Sequence, residues 1–96
     1  MAVLDQLRQQ RHVIAEIATR HGASNVRLFG SAARGEERPD SDIDLLITLD
    51  DARGFNDYLA LAEELEQLLG RRVDLVTERG LSPHFRRYIE AEARPL

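Results

Sequence analysis

The segment 42–49 constrains the fold more than any other part of the sequence, because apolar residues occupy every second position from Ile43 onward. Successive side chains of a β-strand point to opposite faces, so this alternation predicts a strand with one buried face. One face carries Ile43, Leu45, Ile47 and Leu49, and the other carries Asp42, Asp44, Leu46 and Thr48. Three apolar residues follow Asp44 directly, so its backbone is expected to enter the core, where an unpaired carboxylate is unfavourable.

Apolar spacing and turn residues predict three helices and two further strands around this segment. We expect helices over 4–21 and 59–69, strands over 26–29 and 72–77, and one helical turn over 31–34. A short final helix is expected to begin at Pro83, after a cap at Ser82, and to carry Phe85, Tyr88 and Ile89. This order predicts a single α/β domain over residues 1–96, in which helices flank one small mixed β-sheet. The spacing of the strands does not determine their pairing order.

Composition excludes several classes of protein. The 13 basic and 17 acidic residues give a formal net charge of −4, which argues against a nucleic-acid partner. The chain has no cysteine, so it has neither a thiolate zinc site nor a thiol nucleophile. Neither a signal peptide nor a run of roughly 18 apolar residues is visible, and we expect a cytoplasmic protein with no membrane partner.

Three aspartates, Asp42, Asp44 and Asp74, are candidate catalytic and metal-binding residues. Residues i and i+2 of a strand place two carboxylates about 6.5 to 7 Å apart at the backbone, and Asp74 can join from the predicted strand 72–77. Carboxylates directed at one point repel one another unless a cation lies between them. The pattern therefore predicts a divalent metal site of the kind that transfers phosphoryl or nucleotidyl groups between two ions.

A second candidate feature lies upstream, where Gly30 and Ser31 precede Asp42 by a gap of ten residues. A glycine turn at a helix start frees backbone N–H groups for an anion, so this turn is expected to hold a metal-bound triphosphate. The same residues also fit a plain tight turn and a helix cap. Arg34 either binds phosphate through its planar guanidinium or pairs with a nearby acid. The acids in reach are Glu36, Glu37 and Asp40.

The sequences LFGSAARG at 28–35 and SDIDLLI at 41–47 resemble the signature of minimal nucleotidyltransferases of the polymerase-β-like superfamily. The resemblance covers nearly the whole chain and implies the nucleotidyltransferase fold. It implies that Gly30 and Ser31 hold the nucleoside triphosphate, and that Asp42 and Asp44 bind two Mg²⁺ ions. Asp74 would complete the metal site on the side of the attacking hydroxyl.

Small members of this family are typically antitoxins that bind and adenylylate a helical HEPN-type toxin. The resemblance thus implies a type VII antitoxin that transfers AMP from ATP to a hydroxyl of its partner toxin, commonly a tyrosine. Two alternatives remain open at the level of the sequence. The domain could neutralise its partner by binding alone, or it could modify a small molecule, as the larger aminoglycoside-type nucleotidyltransferases do.

Overall fold

A computed structural model describes residues 2–96 of the chain. The helices are α1 (Val3–Gln9), α2 (Arg11–Arg20), α3 (Gly30–Ala33), α4 (Phe55–Leu69) and α5 (Pro83–Glu92). The strands are β1 (Ala23–Phe29), β2 (Ile43–Leu49), β3 (Val73–Thr77) and β4 (Arg94–Pro95), and a 3₁₀ turn spans Glu78–Gly80. None of the helices described is both long and apolar enough to span a bilayer.

The four strands form one sheet in the order β3-β2-β1-β4. Strands β2 and β3 run parallel and are joined through α4, whereas β1 runs antiparallel to both β2 and β4. The predicted small mixed sheet flanked by helices is therefore confirmed. Strand β2 is central and β3 lies at one edge, so the carboxylates of these two strands lie on neighbouring strands.

The prediction of one long first helix over 4–21 is wrong. The helix is interrupted at Gln10, whose φ of −104° and ψ of 15° leave the helical region. The Gln10 N–H bonds to the carbonyl oxygen of Leu7 at 3.0 Å, a contact three residues back that closes the first helix. All five residues of 8–12 are polar. The apolar stripe between Leu7 and Ile14 therefore has no anchor that would keep one continuous helix against the core.

Strand β2 has apolar residues on both faces. Ile43, Leu45 and Ile47 are buried in the main core, which they share with residues of α1, α2 and α4. Leu46 is also fully buried, but it lies outside that core cluster, on the face that carries Asp44. The segment that holds Asp44 is thus fixed by packing on both sides of the sheet.

Candidate active site

Asp44 and Asp74 lie side by side on the sheet. They are register partners in the parallel ladder of β2 and β3, and partners of this kind present their side chains on the same face of strands about 4.8 Å apart. Asp44 is half-buried, while Asp74 is exposed. Main-chain pairing therefore brings together two of the three aspartates that the sequence pattern singled out.

The glycine turn contacts this pair of aspartates. Gly30 follows Phe29, which is the register partner of Asp44 in the β1–β2 ladder, and Gly30 begins α3 with a φ of 75°. A Cβ atom at position 30 would lie 2.1 Å from Oδ2 of Asp44, closer than any real contact. Position 30 thus requires glycine because of its left-handed backbone and because the Asp44 carboxylate occupies the space of a side chain.

The carboxyl group of Asp44 is electrostatically strained when no cation is bound. Its pKa is raised from 3.8 to about 6, chiefly by burial and next by the negative charges of Asp74 and Asp42. A hydrogen bond with Asp74 and the charge of Glu92 act in the same direction. Desolvation and like charges both disfavour the ionised form, and a bound cation would relieve both.

Asp42 lies just outside the strand. Strand pairing begins at Ile43, whose N–H donates to the Arg72 carbonyl oxygen at 2.9 Å, so Asp42 ends the preceding loop and is exposed. It borders a depression of about 290 Å³ beside Arg71 and Arg72. The charge of Asp42 nevertheless raises the pKa of Asp44, so the two carboxylates are electrostatic neighbours.

The carboxylates fit a hard cation by their chemistry. Carboxylate oxygens are the ligands that Mg²⁺ prefers in proteins, and repulsion within the cluster around Asp44 would fall when a cation binds. Over residues 2–96, no group of three or more His, Cys, Asp or Glu side chains is placed so that it could hold a metal ion together. Asp44 and Asp74 are the two carboxylates that the sheet brings together for a divalent ion, whereas Asp42 lies in the loop just before β2.

Arg34 is engaged by acidic side chains rather than free. Its Nε donates to Glu36 Oε2 at 3.1 Å, and its Nη1 forms a short ion pair with Glu92 of α5. The pairing with Glu36 follows one of the two readings of the sequence, whereas contact with phosphate stays a prediction. Ser31 lies in the first turn of α3, which has no side-chain cap.

Sequence reasoning missed two residues that shape the site. Nη2 of Arg71 donates to the carbonyl oxygens of Arg38 and Ser41 and so holds the loop that ends in Asp42. Glu92 contacts Arg34 from 58 residues away. Neither contact has a local signal, because both depend on how distant segments pack.

This combination defines the class of protein. A mixed sheet that presents two carboxylates on adjacent strands, next to a glycine turn that can receive a phosphate, is suited to nucleotidyl transfer. The sequence profile of the nucleotidyltransferase domain matches residues 10–96. The chain belongs to this family and is a nucleotidyltransferase.

Named relatives share its sequence over most of its length. A candidate protein adenylyltransferase of Methanocaldococcus jannaschii is 35% identical over 89 residues, which are 90% of this chain and 86% of the relative. The protein adenylyltransferase MntA of Thermococcus cleftensis is 41% identical over 66 residues, which are 69% of this chain and 67% of the relative.

Solved structures share its fold. The structure of a candidate minimal nucleotidyltransferase superposes with a TM-score of 0.87 at 49% identity and covers 97% of this chain and 95% of its own. A toxin–antitoxin crystal structure with AMP-PNP superposes with a TM-score of 0.74 at 24% identity, over 88% of this chain and 69% of its own. The second likeness is one of fold alone.

Proposed function

We propose that this chain transfers AMP from ATP to a hydroxyl group of a partner protein, and that it acts in this way as the antitoxin of a HEPN-type toxin. The observation that carries the proposal is the contact between the Gly30 turn and the Asp44 carboxylate, beside Asp74. A phosphate held at the turn lies next to carboxylates that can hold cations, which is the requirement for attack at phosphorus.

Each site residue has a role in this reaction. Gly30, Ser31 and Arg34 bind the phosphates, and the aspartates at 42, 44 and 74 hold two Mg²⁺ ions. When bound, Mg²⁺ neutralises charge on the phosphates and on the leaving pyrophosphate. The acceptor hydroxyl oxygen forms a bond to the α-phosphorus and releases its proton to solvent water, while the bond from that phosphorus to the α–β bridging oxygen breaks and pyrophosphate leaves.

The relatives support a protein acceptor. Two of them at 35% and 41% identity are named as protein adenylyltransferases, and one fold neighbour is a toxin–antitoxin complex solved with AMP-PNP. The chain would thus use ATP as its nucleotide and a HEPN-type protein as its partner. A tyrosine hydroxyl is the acceptor that we propose.

Label transfer tests the proposal directly. The chain is incubated with Mg²⁺, α-labelled ATP and a purified HEPN-type toxin that binds it, and label on the toxin is measured. Asp44→Asn should abolish transfer, whereas Asp51→Asn, whose side chain is 87% exposed outside the site, should transfer like wild type. The proposal would be contradicted if a toxin that binds the wild-type chain acquired no label.

The occupied guanidinium of Arg34 favours a second candidate function, neutralisation by binding alone. In that case the nucleotide site is vestigial. Cells that express the toxin distinguish the two functions: an Asp42→Ala/Asp44→Ala double variant should fail to protect them if AMP transfer is required. Full protection by the double variant would favour binding alone.

A further inference from the structure

A groove of about 610 Å³ runs along the free edge of β3. Its lining includes Arg53, Phe55, Tyr58, Asp74 and Val76. The groove extends from the first turn of α4 to the edge of β3. Strand alternation turns the side chains of Asp74 and Val76 to the face of Asp44, so Tyr58 of α4 lies across the edge of β3 from the Asp74 carboxylate. The comparisons with relatives and the roles proposed above leave this groove without a ligand.

Strand order places the groove on the opposite side of the site from the glycine turn. The order β3-β2-β1-β4 puts Gly30 at the end of β1, Asp44 on β2 and Asp74 on the edge strand β3. An extended segment along the edge of β3 places alternate side chains on the two faces of the sheet, so one of them can reach Asp74 from the side away from Gly30. A nucleotide at the turn and a second reactant in the groove would meet at the two aspartates without competing for space.

The wall of the groove is a preformed aromatic surface. Tyr58 is fixed because its hydroxyl donates to the Leu75 carbonyl oxygen of β3 at 2.5 Å. Phe55 stacks on Tyr58 with ring centroids 6.0 Å apart and an interplanar angle of 13°, yet 72% of Phe55 is exposed. Exposed aromatic rings held in one orientation are the residues that most often dominate the binding energy of an interface.

Charge in the groove selects the kind of ligand. Arg53 is the basic residue of the lining, and its Nη1 already pairs with Asp57 at 3.2 Å. Asp57 also accepts from the Gly54 N–H at the start of α4, so this ion pair is built into the helix end. Because Arg53 is already paired, the groove offers an acidic segment no free cation, and the exposed ring of Phe55 favours apolar neighbours beside the hydroxyl-bearing residue.

We infer that this groove holds the acceptor segment of the partner protein, an apolar stretch whose hydroxyl-bearing residue reaches Asp74 while its neighbours pack on Phe55 and Tyr58. The inference rests on the proposed function and adds to it the surface by which the acceptor is recognised. Recognition of the acceptor is then separate from recognition of the nucleotide, which takes place on the side of Gly30.

Steady-state kinetics with two matched phenylalanine variants test the inference. Phe55→Ala removes the exposed ring of the groove, and Phe85→Ala removes a ring on α5 that is 62% exposed and outside the groove. With the HEPN-type toxin of the transfer assay as substrate, Phe55→Ala should raise the KM for the toxin about tenfold, as expected for an interface aromatic. The KM for ATP and the Tm should stay at wild-type values, and Phe85→Ala should resemble wild type in all three.

The outcomes separate the inference from the proposed function. An unchanged KM for the toxin in Phe55→Ala, or an equal rise in Phe85→Ala, would overturn the groove as the acceptor site. AMP transfer by the wild-type chain in the same assay would still support the proposed function. No transfer by wild type would overturn both.

A second measurement places p-benzoylphenylalanine at position 55 and irradiates the complex with toxin. The crosslinked toxin peptide should contain or adjoin the modified residue, and a crosslink to a remote surface of the toxin would contradict the inference.

Discussion

At the scale of single residues, Gly30 is the position at which backbone and catalytic chemistry depend on each other most directly. Gly30→Ala would combine a positive φ of 75° with a Cβ atom 2.1 Å from the Asp44 carboxylate. We expect a loss of roughly 2 to 4 kcal/mol in the free energy of unfolding, and a fall in AMP transfer of about a hundredfold because Asp44 must move. Denaturant unfolding and label transfer measure the two effects.

Gly35→Ala is the matched control for this prediction. Gly35 has a similar φ of 73°, but a Cβ atom there would meet nothing within 4 Å. This variant should lose only the backbone contribution of about 1 kcal/mol and retain transfer. Equal losses of activity in both variants would mean that contact with Asp44 is not what position 30 protects.

Residue patterns predicted the centre of the site better than its periphery. The alternation in β2 and the glycine turn singled out Asp44 and Gly30, because strand periodicity and left-handed turns are local properties of the chain. Asp74 was a candidate from its own predicted strand, but the family resemblance grouped it with them, since the pairing of β2 with β3 has no local signal. The partners of Arg34 and Arg71 depend on side chains and carbonyl groups that lie far away in the sequence. A pattern of residue types cannot choose among the acidic partners of an arginine.

At the scale of elements, helices and strands with strong apolar patterns were predicted and the irregular ones were not. Strand β1 begins at Ala23, three residues before the predicted 26–29. Its first residues did not show a strand pattern because Asn25 has a left-handed φ of 53° and a bulge falls between Ser24 and Arg27. Strand β4 has only two residues and includes Pro95, so nothing in its composition favours a strand. These features arise from sheet pairing, which overrides local preference.

The contact between α5 and α3 yields a prediction at this scale. Glu92 of α5 holds Arg34 at the end of α3, and its charge also acts on Asp44. Glu92→Gln removes a negative charge that competes with the phosphates of ATP. We therefore expect the KM for ATP to fall roughly two- to fivefold, measured at saturating toxin.

Glu90→Gln serves as the control for this change. Glu90 lies on the same helix but pairs with Arg86 at 3.0 Å, away from Arg34. The KM of Glu90→Gln for ATP should equal that of wild type. A higher KM for ATP in Glu92→Gln would mean that Glu92 holds Arg34 in its binding position instead of competing with the nucleotide.

At the scale of the whole molecule, the site lowers the stability of the metal-free protein at neutral pH. The pKa of Asp44 is raised to about 6 by folding, so the folded state binds more protons than the unfolded state between about pH 4 and 6. The contribution of Asp44 to stability is therefore full below pH 4 and is lost as the pH rises through 6. In EDTA, Asp44→Asn should melt at a higher temperature than wild type at pH 7, and the two Tm values should converge at pH 4.

The difference between the two proteins isolates Asp44 from other titrating groups. Glu64 and Glu78 have lowered pKa values, chiefly through hydrogen bonds from His21 and Arg27, and they act in the opposite direction in both proteins. Excess Mg²⁺ should raise the Tm of wild type at pH 7 and leave that of Asp44→Asn nearly unchanged. Identical melting curves of wild type with and without Mg²⁺ would count against a metal site at Asp44.

The two central aspartates lie side by side because of main-chain pairing between β2 and β3. Ladder register is a discrete quantity: it can slip by whole residues, but it does not drift by fractions of an ångström when a surface changes. The surface residues of such an enzyme, and with them its partner proteins, can therefore change while the spacing of the two carboxylates stays the same. The choice of partner can change without a change in the chemistry of the site.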